Sequence, residues 1–522
     1  MRSNLLKAKR ILNFLVLLAT AGALMGCATV GPDYHEPEVE WLDEWETDLY
    51  GQAGGLDAGN QGDLSFWWRL FDDPVLNELI ETARRENPSL HIAGLRVLES
   101  RAALGYARGT RYPQLQQATG DMAYVNTRDS GEESNDQVVY SADLNIGWEI
   151  DFWGKFRRSI ESADAAFFAS IANQQNVQVL LSAQVADLYF AYRTTQLRID
   201  IAKENASIQK RSFEITERLY LGGEDSELDL QQAKNQYMAT LSTIPGLEIT
   251  RGQLRNAICA LLGRAPGDLP ELDSETGDLP AVEPVILEGI PAHLLMRRPD
   301  IRAAAAQVAS QSARIGMAKA DLYPSISLFG NIGWSGSTVE GSSNTLSLGV
   351  GPSFTWNLFN YGRIKNNVRV QDARLQQAIE NFQNVALQAA REIDDAALRI
   401  VKTEEQQVPQ RQSTQAAKRS LELANSRYRE GYADFQRVIE AQRAFAAQND
   451  REILNQSSHI SAVISFYKAI GGGWLDMTIE QMLPGNIRDA MEERTDWDDL
   501  LRDSLPAESD SLYSNQKVED GE

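Results

Sequence analysis

Histidine and cysteine are scarce in this chain, four and two among 522 residues. His35, His91, His293 and His459 stand far apart, without the paired spacing that holds a metal ion. Cys259 lies in "AICALLG", a setting for a small buried hydrophobe rather than a reactive thiol. If Cys27 is lipidated, as argued below, no disulfide can form within the mature chain. Positive charge is also short: 50 Lys and Arg against 73 Asp and Glu give a net charge of −23. Nucleic acid is thereby excluded as a partner, because phosphate binding needs clustered cations. There is no phosphate-binding glycine loop, dinucleotide fingerprint or nucleophile elbow. Chemistry on a substrate is not expected, nor is any cofactor.

The first residues do carry positive charge. Arg2, Lys7, Lys9 and Arg10 precede an apolar run, Ile11 to Ala21, too short to span a bilayer comfortably but suited to a secretory signal. The run ends in "LMGC", which resembles the bacterial lipoprotein signal, in which the cysteine becomes the acylated first residue. An ordinary signal peptide with a chance cysteine is the alternative. Acyl chains on Cys27 would anchor the protein without a spanning helix. Ala28 follows rather than Asp, and by resemblance to sorted lipoproteins this favours the outer membrane. Removal of residues 1–26 would take away four positive charges and no negative ones, moving the net charge from −23 to −27.

What the chain has in abundance is itself. "RYPQL" from Arg111 returns as "LYPSI" from Leu322, an offset of 211; "DFWGK" from Asp151 returns as "FNYGR" from Phe359, an offset of 208. "LYLGGEDSELDLQQAKNQY" from Leu219 returns as "RYREGYADFQRVIEAQRAF" from Arg427, and "LLG" ending at Gly263 as "AIG" ending at Gly471, both again at 208. Four markers in one order with nearly one offset identify an internal duplication.

Each half has the same grammar. A helical segment, near Pro74 to Arg111 and Pro299 to Leu322, is stopped by a Tyr-Pro pair. Two strands follow. In "ADLNIGWEIDF" Leu144, Ile146, Trp148 and Ile150 share one side and Asp143, Asn145, Gly147 and Glu149 the other; "TLSLGVGPSFTWNLF" and "SISLFGNIGW" alternate likewise, and the segment near Gln114 to Val125 does so less cleanly. Such alternation suits a half-buried soluble sheet or a membrane barrel with a polar lumen. Strands of about ten residues, and Trp148, Trp153, Trp334, Trp356 and Tyr361 toward their ends, favour the barrel. Four strands cannot close alone, so several chains would have to share it. Long helical sequence follows, Gly154 to Gly222 and Gly362 to Glu430, each reaching roughly 100 Å if unbroken. Pro409 is expected to interrupt the second. Glycines end these helices, and shorter ones run back over Asp225 to Leu262 and Asp434 to Ile470.

With "CATVGPDYHEP" after the lipid site, the repeated halves, the Tyr-Pro markers, the hairpin tips and "AIGGGW" at Ala469 to Trp474, the sequence resembles the TolC-like outer-membrane factor family, in its lipoprotein branch. The resemblance covers about residues 24–475. It implies an α+β fold: a homotrimer whose four strands per chain form a twelve-stranded outer-membrane β-barrel, continued by a long α-helical barrel across the periplasm. It also implies passive conduction of substrates from an inner-membrane pump of the RND type through a periplasmic adaptor. The expected divisions are a signal peptide (1–26), a lipid-anchored segment (27–70), a first repeat (71–265), a linker (266–298), a second repeat (299–475) and an acidic tail (476–522).

Within the second hairpin, Gln436, Glu440 and Arg443 fall on one helical face, about a third of a turn from Phe435, Val438, Ile439 and Gln442. The residues alone allow a solvated face, a catalytic site or the lining of a passage. Their counterparts in the first half are Leu228, Gln232 and Asn235, which disfavours a paired catalytic site. The resemblance implies that Glu440 rings the narrowest part of a periplasmic gate, with Gln436 and Arg443 beside it, and that the tips at Gly222, Gly223 and Gly431 touch the adaptor. After Leu475, 14 acidic residues against 4 basic ones suggest a solvated tail with one short helix in "TDWDDLLRD". The rival reading is a lipid-anchored periplasmic scaffold of helical hairpins that conducts nothing.

Overall fold

A computed structural model describes residues 29–39, 41, 64–127, 135–272, 277–282, 295–338, 344–502 and 504–505. Cys27 lies outside them. The duplication is visible element by element. Each half contributes a helical lead-in, two antiparallel strands and a hairpin made of one very long and one shorter helix.

In the first half the lead-in is α1 (Pro74–Glu86) and α2 (Pro88–Gly109), then β1 (Leu115–Thr127) and β2 (Asn135–Ile150), then α3 (Lys155–Leu221) and α4 (Glu227–Leu261). The second half has α5 (Pro299–Ala320), β3 (Ser325–Ser337), β4 (Thr345–Thr355), α6 (Arg363–Arg429) and α7 (Phe435–Ala469). The two long helices are 67 residues each and their return partners 35 each. The first lead-in, expected as one segment, is two helices. Asn87 adopts an extended conformation before Pro88, its side chain accepting the Leu90 amide to start α2 afresh.

Glycine punctuates both hairpins at the same places. Gly223 and Gly431 have φ of +78° and +77°. In each, the glycine N–H and that of the next residue turn back onto the helix: Glu224 N donates to Leu219 O at 2.9 Å, and Tyr432 N to Arg427 O at 2.8 Å. That left-handed closure satisfies the last carbonyls, and a side chain with a Cβ resists it. Gly222 keeps ordinary right-handed geometry.

Pro409 does not interrupt α6, contrary to expectation. Its missing N–H and the freed carbonyl of Glu405 lie among exposed residues, where water can satisfy the latter. Side chains hold α6 to α7 on both sides of it: Thr403 Oγ1 meets His459 Nδ1 at 2.9 Å, and Gln410 Nε2 donates to Gln448 O at 3.1 Å. Packing thus outweighs a local penalty of about 3 kcal/mol.

The core sits at the root of the hairpins, away from their tips. Trp68, Phe71, Leu76, Ile80, Tyr189, Phe190, Phe382, Ile393, Val463 and Phe466 are among its buried members. Asp73 starts α1 by accepting Val75 N and Leu76 N, while its other oxygen accepts Tyr189 Oη and Arg193 Nη1, each at 2.8 Å. Burial, then the Asp73 bond, pushes the Tyr189 hydroxyl up from its usual range.

The acidic tail is not a solvated appendage as far as Arg502. α8 (Ile479–Met482) and α9 (Gly485–Arg494) bury Ile479, Met482, Leu483 and Met491 against Val97, Leu98 and Leu104 of α2 and Phe167 of α3. The "TDWDDLLRD" stretch forms only a 3-10 turn, Asp498–Leu501. Charge counting missed the apolar residues spaced between the carboxylates. Gly472 and Gly473 bring the segment leading to this tail against Trp67, and Gln178 grips it by both backbone groups of Leu475.

Candidate functional site

Two regions carry the functional geometry: the sheet and the hairpin tips. The sheet is four-stranded and antiparallel in the order β1-β2-β3-β4. Its register aligns the apolar alternation across strands. Leu144 pairs with Ile332 and Ile332 with Leu348; Ala142 pairs with Trp334 and Trp334 with Leu346. On β1, Met122 and Tyr124 stand opposite Tyr140 and Val138, which extends the row through the strand whose alternation was least clean. The described residues leave this face uncovered: Met122, Leu346, Leu348 and Val350 are 73–83% exposed. Hydrophobic exposure on that scale marks an interaction with membrane or protein.

The opposite face is polar. Asn331 Nδ2 donates to Asn145 Oδ1 at 2.7 Å, and Gly333 leaves the room that Asp143 and Ser347 occupy. Among the described residues β1 and β4 each have one edge without a partner strand, so the described sheet is open at both sides. In a bilayer such edges must be closed by other strands. No described helix is long and apolar enough to cross a membrane.

Where strands give way to helices, tryptophans fasten the junction. Trp148 Nε1 donates to Arg111 O and Trp356 Nε1 to Leu322 O, both at 3.1 Å, the same bond written once in each repeat. Trp153 Nε1 reaches Pro324 O at 2.8 Å and its ring stacks on Tyr323. The N-terminal segment threads the same junction: Val30 N donates to Trp153 O at 3.1 Å, Asp33 pairs with Arg158 at 2.5 Å, and Gly31 crosses Gly316 so closely that a Cβ on either would overlap backbone. Asp33 and Arg158 carried no signal in the sequence beyond their charges.

At the other end the two hairpins meet. Phe435, Val438 and Ile439 of α7 bury themselves with Ala233 of α4, flanked by Phe213 and Tyr428. The Tyr428 hydroxyl donates to Asp225 Oδ2 at 2.8 Å, tying the end of α6 to the first hairpin's tip. Desolvation first, and that bond second, push the phenol up to about 12. Neither residue was singled out from sequence; the available clue was a tyrosine three residues before the tip glycine in both repeats, Tyr220 and Tyr428.

Gln436, Glu440 and Arg443 share an exposed side of α7, about a third of a turn from the buried Phe435, Val438, Ile439 and Gln442. Gln436 Nε2 donates to Glu440 Oε1 at 3.1 Å. Arg443 is not joined to them: its Nε donates to Gln236 Oε1 on α4 at 2.7 Å. A Cβ on Gly223 or Gly431 would meet nothing within 4 Å, so the chain itself leaves both tips open to a partner.

The sequence matches the outer membrane efflux protein family over residues 79–264 and 290–472. The chain belongs to that family. Among curated relatives it is 30% identical over 473 residues to the solvent efflux pump outer membrane protein SrpC of Pseudomonas putida, covering 86% of this chain and 96% of SrpC. The probable outer membrane lipoprotein SilC of Salmonella typhimurium is 28% identical over 471 residues, 88% of this chain and 99% of SilC. Among solved structures, that of the outer-membrane channel OprN superposes with a TM-score of 0.75 at 32% identity, over 86% of this chain and all of the other.

These matches decide between the readings of the open sheet. This efflux protein is the outer-membrane channel of a tripartite system, a homotrimer working with a periplasmic adaptor and an inner-membrane RND pump. Its exposed apolar face is the lipid face and its polar face the lumen. The scaffold reading has no support.

Proposed function

We propose that Gln436, Glu440 and Arg443 form the periplasmic gate of this channel and that the tips around Gly222, Gly223 and Gly431 receive the adaptor. The observation carrying the gate is the division of α7 near its start. One side is buried in the apolar contact that joins the hairpins, and the other presents Glu440 bonded to the neutral amide of Gln436. Three such carboxylates about a common axis would repel one another and attract cations. The tip assignment rests on open space beside two glycines that already need a positive φ.

Cys27 would carry the acyl chains. Thr29, two residues later, lies against Gly154, just past the end of β2. The protein conducts and does not catalyse. The names of its relatives include cation, solvent and pyoverdine exporters, so cargo is chosen by the pump rather than by this conduit. Two repeats, 71–265 and 299–475, joined by the 266–298 linker, form the working unit, with the tail packed on the first.

Single-channel recording of Glu440→Ala tests the gate. Conductance rises and cation preference falls if Glu440 lines the constriction; unchanged values would mean that it is part of a solvated face.

A further inference from the structure

The two charges on the exposed face of α7 are held apart. Glu440 and Arg443 are spaced i, i+3, the separation at which side chains of opposite charge on a helix normally pair. Here they do not. Arg443 Nε is engaged by Gln236 of α4 at 2.7 Å, and Glu440 by Gln436 at 3.1 Å, both neutral amides. Among the described residues no carboxylate lies within ion-pair distance of Arg443, and no cation within that distance of Glu440. The first repeat has neutral Gln232 and Asn235 at the equivalent positions, so nothing there compensates either charge.

We propose that Gln236 is a positioning residue that keeps Arg443 off Glu440, and that Arg443 thereby sets a second, positive ring beside the carboxylate ring and determines the charge selectivity of the passage. The proposal rests on the gate reading given above. Three residues of α-helix separate the two rings by about 4.5 Å along α7, with Arg443 farther from the tip. That is well inside the screening length of about 8–10 Å at ordinary salt, so a permeant ion feels both rings. Carboxylates alone would make the constriction select cations. Opposed rings of equal number cancel much of that preference and let both cationic and anionic or zwitterionic cargo pass. Were Arg443 free to fold back, each chain would present one neutral ion pair instead of two separated charges.

The test is the potassium-to-chloride permeability ratio of the purified full-length protein in planar bilayers under a salt gradient, with trimer assembly checked for every variant. Arg443→Gln is expected to raise the ratio by roughly fivefold, the scale of one unit charge at about 4 Å in water. Glu440→Gln lowers it. In a Gln236→Leu background the Glu440→Gln effect shrinks, because the released guanidinium has already neutralised the carboxylate. A merely structural role for Gln236 would leave that difference intact. If Glu440→Gln moves the ratio and Arg443→Gln does not, the second ring is overturned while the gate stands. If neither moves it, the gate reading itself falls.

Discussion

The Tyr428 hydroxyl and the Asp225 carboxylate, 203 positions apart in sequence, meet at 2.8 Å and tie the tips of two helical hairpins together. The contact is half-buried and flanked by the Phe435 ring, 5.2 Å from that of Tyr428. Tyr428→Phe removes the bond and keeps the ring, so tip closure weakens by about 1 kcal/mol while the fold persists. Raised basal conductance is the expected readout. The phenol's affinity for its proton is raised in the folded state, from 10.0 to about 12. Its contribution is therefore complete below pH 10 and lost as pH rises through about 12. Wild-type conductance should show an alkaline rise in that window, and Tyr428→Phe should not.

At the tips, conformation and contact can be separated. Gly431→Ala has room for its methyl group, so within the chain it suffers only the left-handed backbone, about 1–2 kcal/mol. A thermal shift of that size with normal trimer yield is expected. Loss of efflux far beyond it, measured as drug or metal susceptibility of cells, would mark a partner packed against the tip.

The sheet's two faces should respond oppositely to charge. Leu348 is 78% exposed on the apolar face and Ser347, its neighbour, lies on the polar one. Leu348→Arg on the lipid face costs up to about 4 kcal/mol and should cut the yield of assembled trimer. Ser347→Arg should assemble normally and alter conductance, which bilayer recording reads directly.

Leu483 tests the packed tail. It is 1% exposed against α2 and α3, and Gly94 of α2 lets it approach. Leu483→Ala should destabilise by about 2–5 kcal/mol in denaturant unfolding, a loss that a solvated tail could not produce.

Much of this was legible in the sequence because duplication and periodicity are local signals. The hairpin glycines, the helix ends within a few residues, and the four strands follow from residues read in order. The face proposed as the gate was legible too, since Gln436, Glu440 and Arg443 sit on one helix whose phase is fixed at about 100° per residue. What escaped joins distant segments. Gln236 to Arg443, Asp225 to Tyr428 and Asp33 to Arg158 are each a pair whose members look unremarkable alone. Pro409 and the tail escaped for a different reason. A local helix breaker and a high charge density were outweighed by packing along α6 and by a few well-spaced apolar residues.

The central claim is that three chains pool their open sheets into one conducting barrel whose periplasmic end is held shut by the hairpin tips. Single-channel recording of purified, size-defined trimer tests it most directly, with wild type compared with a Tyr428→Phe, Glu440→Ala double variant. The account predicts small, mostly closed wild-type events and large, stable openings in the variant, both confined to the trimeric fraction. Equal currents from the two proteins, or no current from either, would contradict it.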